Sequence, residues 1–206
     1  FEVVPSPFAH ADAGELHIPA MNCDAGNAEA HTAALIDMLP NLMAPDAGNL
    51  VLFSSRKQLR AVREGMPADW QGRILAQDDL PKHEILTRHR EALDKGNGSV
   101  IFGLASFAEG VDLPGKYCSH VLIAKIPFAV PEDPVEEALA EWISRNNGNP
   151  FMDITVPDAA VKLIQASGRL LRSESDVGRI TILDRRIVTR HYGRKMLASM
   201  PPYRQI

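Results

Sequence analysis

Short apolar runs alternate along the chain with longer stretches in which apolar residues recur every three to four positions. "NLVLFSS" (49–55), "RILAQ" (73–77), "SVIFGLA" (99–105), "SHVLIAKIP" (119–127) and "GRITILD" (178–184) are bounded by polar residues and apolar on both faces, the pattern of buried strands. "ELHIP" adds a candidate strand from Leu16 to Pro19. Helical spacing runs from about Ala28 through "EAHTAALIDML", then in "RKQLRAVREGM" and in "PKHEILTRHREALDKG", where Pro81 stands near the first turn and Gly96 past the end. A last helix is expected from Ile187 to about Met200. Doubly buried strands alternating with helices predict an α/β fold, a parallel sheet with helices on both faces. Residues 1–27 are broken by Pro5, Pro7, Gly14, Pro19 and Gly26 and read as a segment leading in from a preceding domain, with the domain proper over 28–206. Pro127 to Pro157 departs from the rhythm and is read as a rim insertion carrying one amphipathic helix around Glu136 to Arg145. There is no internal repeat or low-complexity tract.

The segment "LIQASGRLLRSESDVGRITILDRR" (163–186) carries the most suggestive chemistry. Continued as a helix, it sets Gln165, Arg169 and Arg172 within an arc of about 60° on one face. Val161, Ile164 and Leu171 would form the adjacent apolar strip that seats this helix on the core. Gly168 costs about 1 kcal/mol relative to alanine inside a helix, so another backbone is expected close to that turn. The arginines serve either solvent or an anion, and the fixed spacing with Gln165 and Gly168 favours the anion.

In open parallel sheets, ligands gather at the carboxyl ends of the strands, and three loops are assigned there. One is the arginine segment. Another is "LFSSRKQL", in which Ser54 and Ser55 either hold a phosphate oxygen at a helix start or simply cap that helix. The last is "FGLASFAEGVDLPG" (102–115), where Ser106, Glu109, Gly110 and Asp112 crowd together. Its carboxylates suit sugar hydroxyls, a coupling contact, or plain turn capping. "GVDLPGK" (110–116) has the G-x-x-x-x-G-K spacing of a phosphate loop, but Tyr117 stands where Ser or Thr should bind Mg²⁺, and a strand follows where a helix must open. A phosphate-loop kinase built on Lys116 therefore ranks last.

Composition changes the picture little. The 206 residues are 45% hydrophobic, enough for one large domain. A net charge of −4 requires any nucleic-acid contact to come from a local basic patch. Cys23 and Cys118 cannot form a metal quartet, and as two plain thiols they suit a reducing cytoplasm. The seven histidines lack ligand spacing, so no metal site is expected, and no apolar run has the length of a membrane span. The "RHYGRK" cluster (190–195) reads as a solvated basic face. Phe1 is not an initiator methionine, and the chain is taken for a piece of something longer.

"SFAEGVDLPG" followed by "QASGRLLRSESDVGRITILDRR" resembles motifs V and VI of the superfamily 2 helicases related to XPD, most closely the bacterial DinG family. "LVLFSS" is similar to the motif IV strand, and "SPF" (6–8) and "HYGRKMLASMP" (191–201) extend the resemblance over nearly the whole chain. The resemblance implies a RecA-like helicase domain 2, working with a first helicase domain that holds most of the ATP and Mg²⁺. Arg169 and Arg172 would reach the γ-phosphate, with Gln165 close to the nucleotide and Gly168 permitting close packing across the cleft. Glu109 and Asp112 would link nucleotide contacts to DNA contacts, Gly110 would lie with them at the nucleotide, and Ser54, Ser55 and Ser106 would touch single-stranded DNA. Asp184 and Arg186 match the family's D-x-R and read as a structural ion pair. The chain departs from the complete pattern, having no phosphate loop, no D-E-A-H box ("AEAH", 28–31, lacks the acid) and no cysteine quartet. An iron–sulfur cluster is thus possible only in the full-length protein, and the isolated chain is expected neither to hydrolyse ATP nor to unwind DNA. The rival reading is a non-catalytic RecA-like module that binds single strands or a protein partner.

Overall fold

A computed structural model describes residues 8–129 and 133–206. The elements, in chain order, are α1 (His10–Ala13), β1 (Gly14–His17), α2 (Ala28–Leu42), β2 (Gly48–Phe53), α3 (Arg56–Gly65), α4 (Ala68–Gln71), β3 (Ile74–Ala76), α5 (Lys82–Asp94) and β4 (Ser99–Leu104). They continue with α6 (Ala105–Ala108), β5 (His120–Ile123), α7 (Pro134–Arg145), α8 (Val156–Ser167), β6 (Gly178–Ile182), α9 (Arg186–Thr189), α10 (His191–Ser199) and β7 (Arg204–Gln205). The seven strands form one sheet in the order β3-β4-β2-β5-β6-β1-β7, and every recorded pairing is parallel.

Alternation along each strand divides the interior into two layers. Leu50, Leu52, Ile101, Val121, Ile123, Ile180 and Ile182 face a core closed by Ile85 of α5, Leu163 of α8 and Met196 of α10. Val51, Phe53, Val100, Phe102 and Leu122 face the other, closed by Leu35 and Leu39 of α2 and Leu59 and Val62 of α3. The Phe53 and Phe102 rings pack 5.0 Å apart. Each such fully buried side chain contributes about 1.5–3 kcal/mol, so the central strands anchor the domain.

Several expectations are corrected. The final helix is broken at Arg190, whose backbone is extended, into α9 and α10. Gly193 explains the break: a Cβ there would lie 2.3 Å from the Arg186 carbonyl oxygen, so the two helices cross closer than a continuous rod allows. Part of the lead-in segment belongs to the sheet, because Gly14–His17 lies between β6 and β7. In the rim insertion, Asp133 caps α7 by accepting from Val135 N and Pro134 occupies the first turn, so the helix starts earlier than its amphipathic pattern suggests. Its Val135, Leu139 and Trp142 face outward rather than onto the sheet. The "SPF" fragment falls largely outside the described residues, as do positions 130–132 of the insertion.

Candidate functional site

The arginine segment is not one continuous helical ridge. α8 stops at Ser167, Gly168 occupies its C-cap, and Arg169 and Arg172 lie in the turn that follows. The apolar strip is corrected in part: Val161 is half exposed, whereas Ile164 packs against the core as expected. Leu171 is buried with Leu170 in the turn, and Val156, Ala159, Leu163 and Ala166 complete the seat of α8. The turn also precedes β6 in a parallel sheet, so it stands at the amino end of the strands and not among the carboxyl-end loops. Among the described residues, a Cβ at Gly168 would meet within 4 Å only the local carbonyl oxygens of Ile164 and Gln165, at 3.4 and 3.6 Å.

Asp176 shapes this turn. Buried to 4% exposure, its carboxylate accepts from Arg172 N at 2.8 Å, Ser173 N at 3.0 Å and the Ser173 hydroxyl. Burial alone would raise its pKa; the Ser173 hydroxyl and the backbone N–H groups of Arg172, Ser173 and Gly115 outweigh that and hold it below the usual carboxylate value. Gly115 belongs to the segment that descends from β4 to β5, so Asp176 ties the two regions together. In the sequence, 174–178 reads as an ordinary turn, since an acid bonded to backbone leaves no side-chain pattern.

The descending segment brings its own residues to the arginines. Arg169 Nη1 donates to the Val111 carbonyl at 3.0 Å, and Arg172 Nε donates to Asp112 Oδ1 at 2.9 Å. Arg169 is half-buried, and its Nε is buried without a hydrogen-bond partner among the described residues. Gly110 turns the backbone at a φ of 69°, in the left-handed region that favours glycine. Lys82 Nζ donates to the Glu109 carbonyl at 2.6 Å, and Arg90 Nη2 to the Asp112 carbonyl at 2.7 Å. Sequence reasoning missed both of these α5 residues.

The structure therefore brings Arg169 against Val111 and Arg172 against Asp112; Gly168 adjoins Arg169, and Glu109 and Gly110 lie in the same loop without a recorded contact to the arginines. Gln165 is exposed on the last turns of α8. Ser54 and Ser55 stand apart at the carboxyl end of β2, exposed, with Ser55 capping α3 by accepting from Gln58 N at 3.3 Å. Ser106 is exposed on α6, after β4. The apparent phosphate loop fails structurally, because Gly115–Cys118 is a 3₁₀ turn leading into β5 and Lys116 pairs with Asp94 at 2.6 Å. Asp184 and Arg186 form the expected ion pair at 2.6 Å.

His31, His89, His120 and Cys118 turn inward. His31 Nε2 donates to the Leu183 carbonyl at 2.8 Å while its Nδ1 accepts from Gln58. His89 Nε2 donates to the Tyr117 carbonyl at 2.7 Å, and His120 bonds Thr181 at 2.8 Å. Burial lowers the pKa of all three, that of His120 to about 4, and pushes the Cys118 thiol up to about 12. Among the described residues no group of three or more His, Cys, Asp or Glu could hold a metal ion, and no helix is long and apolar enough to cross a membrane.

The chain is 42% identical along its full length to the ATP-dependent DNA helicase DinG of Photobacterium profundum, of which it covers 30%. It is 34% identical, over 98% of its length, to the ATP-dependent DNA helicase DinG of Escherichia coli K12, covering 29%. It thus spans less than a third of the curated relatives it matches. Among solved structures, an XPD helicase superposes with a TM-score of 0.67 over 94% of this chain and 35% of the other, at 21% identity. The C-terminal domain of the DEAD-box protein Dbp5 gives 0.51 over 94% and 89%, at 14% identity. These structural likenesses speak for a shared α/β helicase-domain fold. A family model described as the helicase C-terminal domain matches residues 39–203, taking in both the 109–112 loop and the arginine turn, and the chain belongs to that family.

Proposed function

We propose that this chain is the second motor domain of an ATP-dependent DNA helicase, completing a nucleotide site whose phosphate loop belongs to a first domain. The observation that carries the reading is the turn Gly168–Arg172. It is braced from within by Asp176 and offers two guanidinium groups beside an open glycine, in a domain with no working phosphate loop. A partnerless buried Arg169 Nε supports the same reading, since a buried charged donor normally has an acceptor and this one has none within the described fold. The room at Gly168 supports it too: among the described residues a Cβ there would meet no side chain, which leaves that side of the turn open to a partner surface.

In this role Arg169 and Arg172 neutralise charge that develops on the γ-phosphoryl oxygens as water attacks and ADP leaves. Such groups raise turnover by about 10³-fold or more, roughly 4 kcal/mol. Gln165 lies beside the nucleotide, and the Asp112–Arg172 contact connects it to the 109–112 loop. Mg²⁺ accompanies ATP and is held mainly by the first domain. Ser54, Ser55 and Ser106, at the carboxyl ends of β2 and β4, receive the backbone of single-stranded DNA, with 5′ to 3′ travel the direction that the family resemblance implies. The chain by itself neither hydrolyses ATP nor unwinds DNA.

The test is Arg169→Ala in the longer protein, with ATP turnover and single-strand affinity measured side by side. Turnover should fall about 10³-fold while affinity changes less than about threefold. Parallel loss of both would favour a non-catalytic binding module instead.

A further inference from the structure

We infer that Lys82 and Arg90 of α5 are positioning residues for the arginine turn, acting through the backbone of the 109–112 loop; this rests on the motor reading above. Within four residues of that loop, three carbonyl oxygens accept from three different cationic side chains: Glu109 from Lys82, Val111 from Arg169 and Asp112 from Arg90. Asp112 is gripped at both ends, its carbonyl by Arg90 of α5 and its carboxylate by Arg172 of the turn. The loop is thus a plate clamped between a helix and the turn, and the placement of Arg172 depends on where the helix holds Asp112.

α5 is suited to set that placement. Ile85, His89 and Leu93 root it in the core, and His89 bonds both Ser99 of β4 and the Tyr117 carbonyl at the far end of the descending segment. Lys82 and Arg90, about two turns apart, project from the same flank. Each is steadied by an aromatic ring: Lys82 Nζ lies 5.1 Å from the Phe107 centroid, and the Arg90 guanidinium 5.8 Å from that of Tyr117. Because both donate to neutral carbonyls, they fix the loop without cancelling the positive charge gathered around it. Exposed cations of this kind matter little to folding, whereas displacing a functional group by about 1 Å can cost 10²-fold in rate.

The experiment compares Arg90→Ala, Arg90→Lys and Lys82→Ala in the longer protein, following ATP hydrolysis with saturating single-stranded DNA and Arg169→Ala as control. Arg90→Ala should lower kcat about tenfold with KM for ATP within about threefold, at an unchanged urea midpoint. Arg90→Lys, which keeps one donor, should recover most of the loss, and Lys82→Ala should have a smaller effect of the same kind. An unchanged kcat in Arg90→Ala overturns the inference, as does a loss that merely tracks the folded fraction and is not recovered by lysine. If Arg169→Ala turns over normally, the motor reading itself has failed; if it is inactive while Arg90→Ala is normal, only the positioning role has.

Discussion

Two aspartate–arginine pairs in this domain have the same chemistry and opposite settings. Asp184 and Arg186, two residues apart, meet through a two-pronged contact, with side-chain exposures of 0% and 14%. Asp184 also accepts from Ile126 N, and the Arg186 guanidinium rests 5.4 Å from the Phe128 ring centroid. Asp112 and Arg172 are sixty positions apart, share a single 2.9 Å contact, and are 65% and 38% exposed. The first pair is walled in and joins the segment after β5 to the turn after β6. The second stands in water, where an exposed pair contributes roughly 0–1 kcal/mol to folding, so its loss costs the fold little. An Asp–Arg motif in sequence therefore says nothing about role until burial is known.

The largest effect on stability is expected where burial is complete. Asp184→Ala leaves the Arg186 charge enclosed without its partner and should destabilise the chain by about 3–5 kcal/mol in urea unfolding. A loss below about 1 kcal/mol would erase the distinction between the pairs.

A smaller effect, expected of the same interior, comes from pH. Burial depresses the pKa of His120 from 6.5 to about 4, so between those values the unfolded chain binds a proton that the folded chain refuses. The stability this group contributes is whole above about 6.5 and declines as pH falls toward 4, by on the order of 1–3 kcal/mol. His31 and His89 are shifted in the same direction by burial. Urea midpoints across that range should slope downward toward acid, and His120→Gln should flatten the slope. A level profile in the unmodified chain would contradict the buried, neutral assignment.

Much of the fold is legible because β2, β4, β5 and β6 are apolar on both faces, as strands of a parallel sheet covered from both sides must be. β7 is invisible: Arg204 and Gln205 are polar and exposed, and only their pairing with β1 makes them a strand. The helical period runs on past Gly168 only if that glycine is not taken for the stop signal it is. The arginines, Asp112 and Gly110 can be singled out because their spacing repeats a recognisable motif. Asp176, Lys82 and Arg90 cannot, since each works on backbone groups, and a backbone contact leaves no trace in residue spacing. Glu109 is expected for its carboxylate, yet the contact found at this position uses its carbonyl oxygen.

The contrast between the two pairs is tested most directly by measuring ATP turnover per folded molecule for Arg172→Ala and Arg186→Ala in the same longer protein, with urea midpoints alongside. That contrast requires Arg172→Ala to lose turnover by about 10²-fold or more at an unchanged midpoint, and Arg186→Ala to lower the midpoint while leaving the surviving folded molecules active. Normal turnover in Arg172→Ala, or a loss that only follows its midpoint, would contradict it.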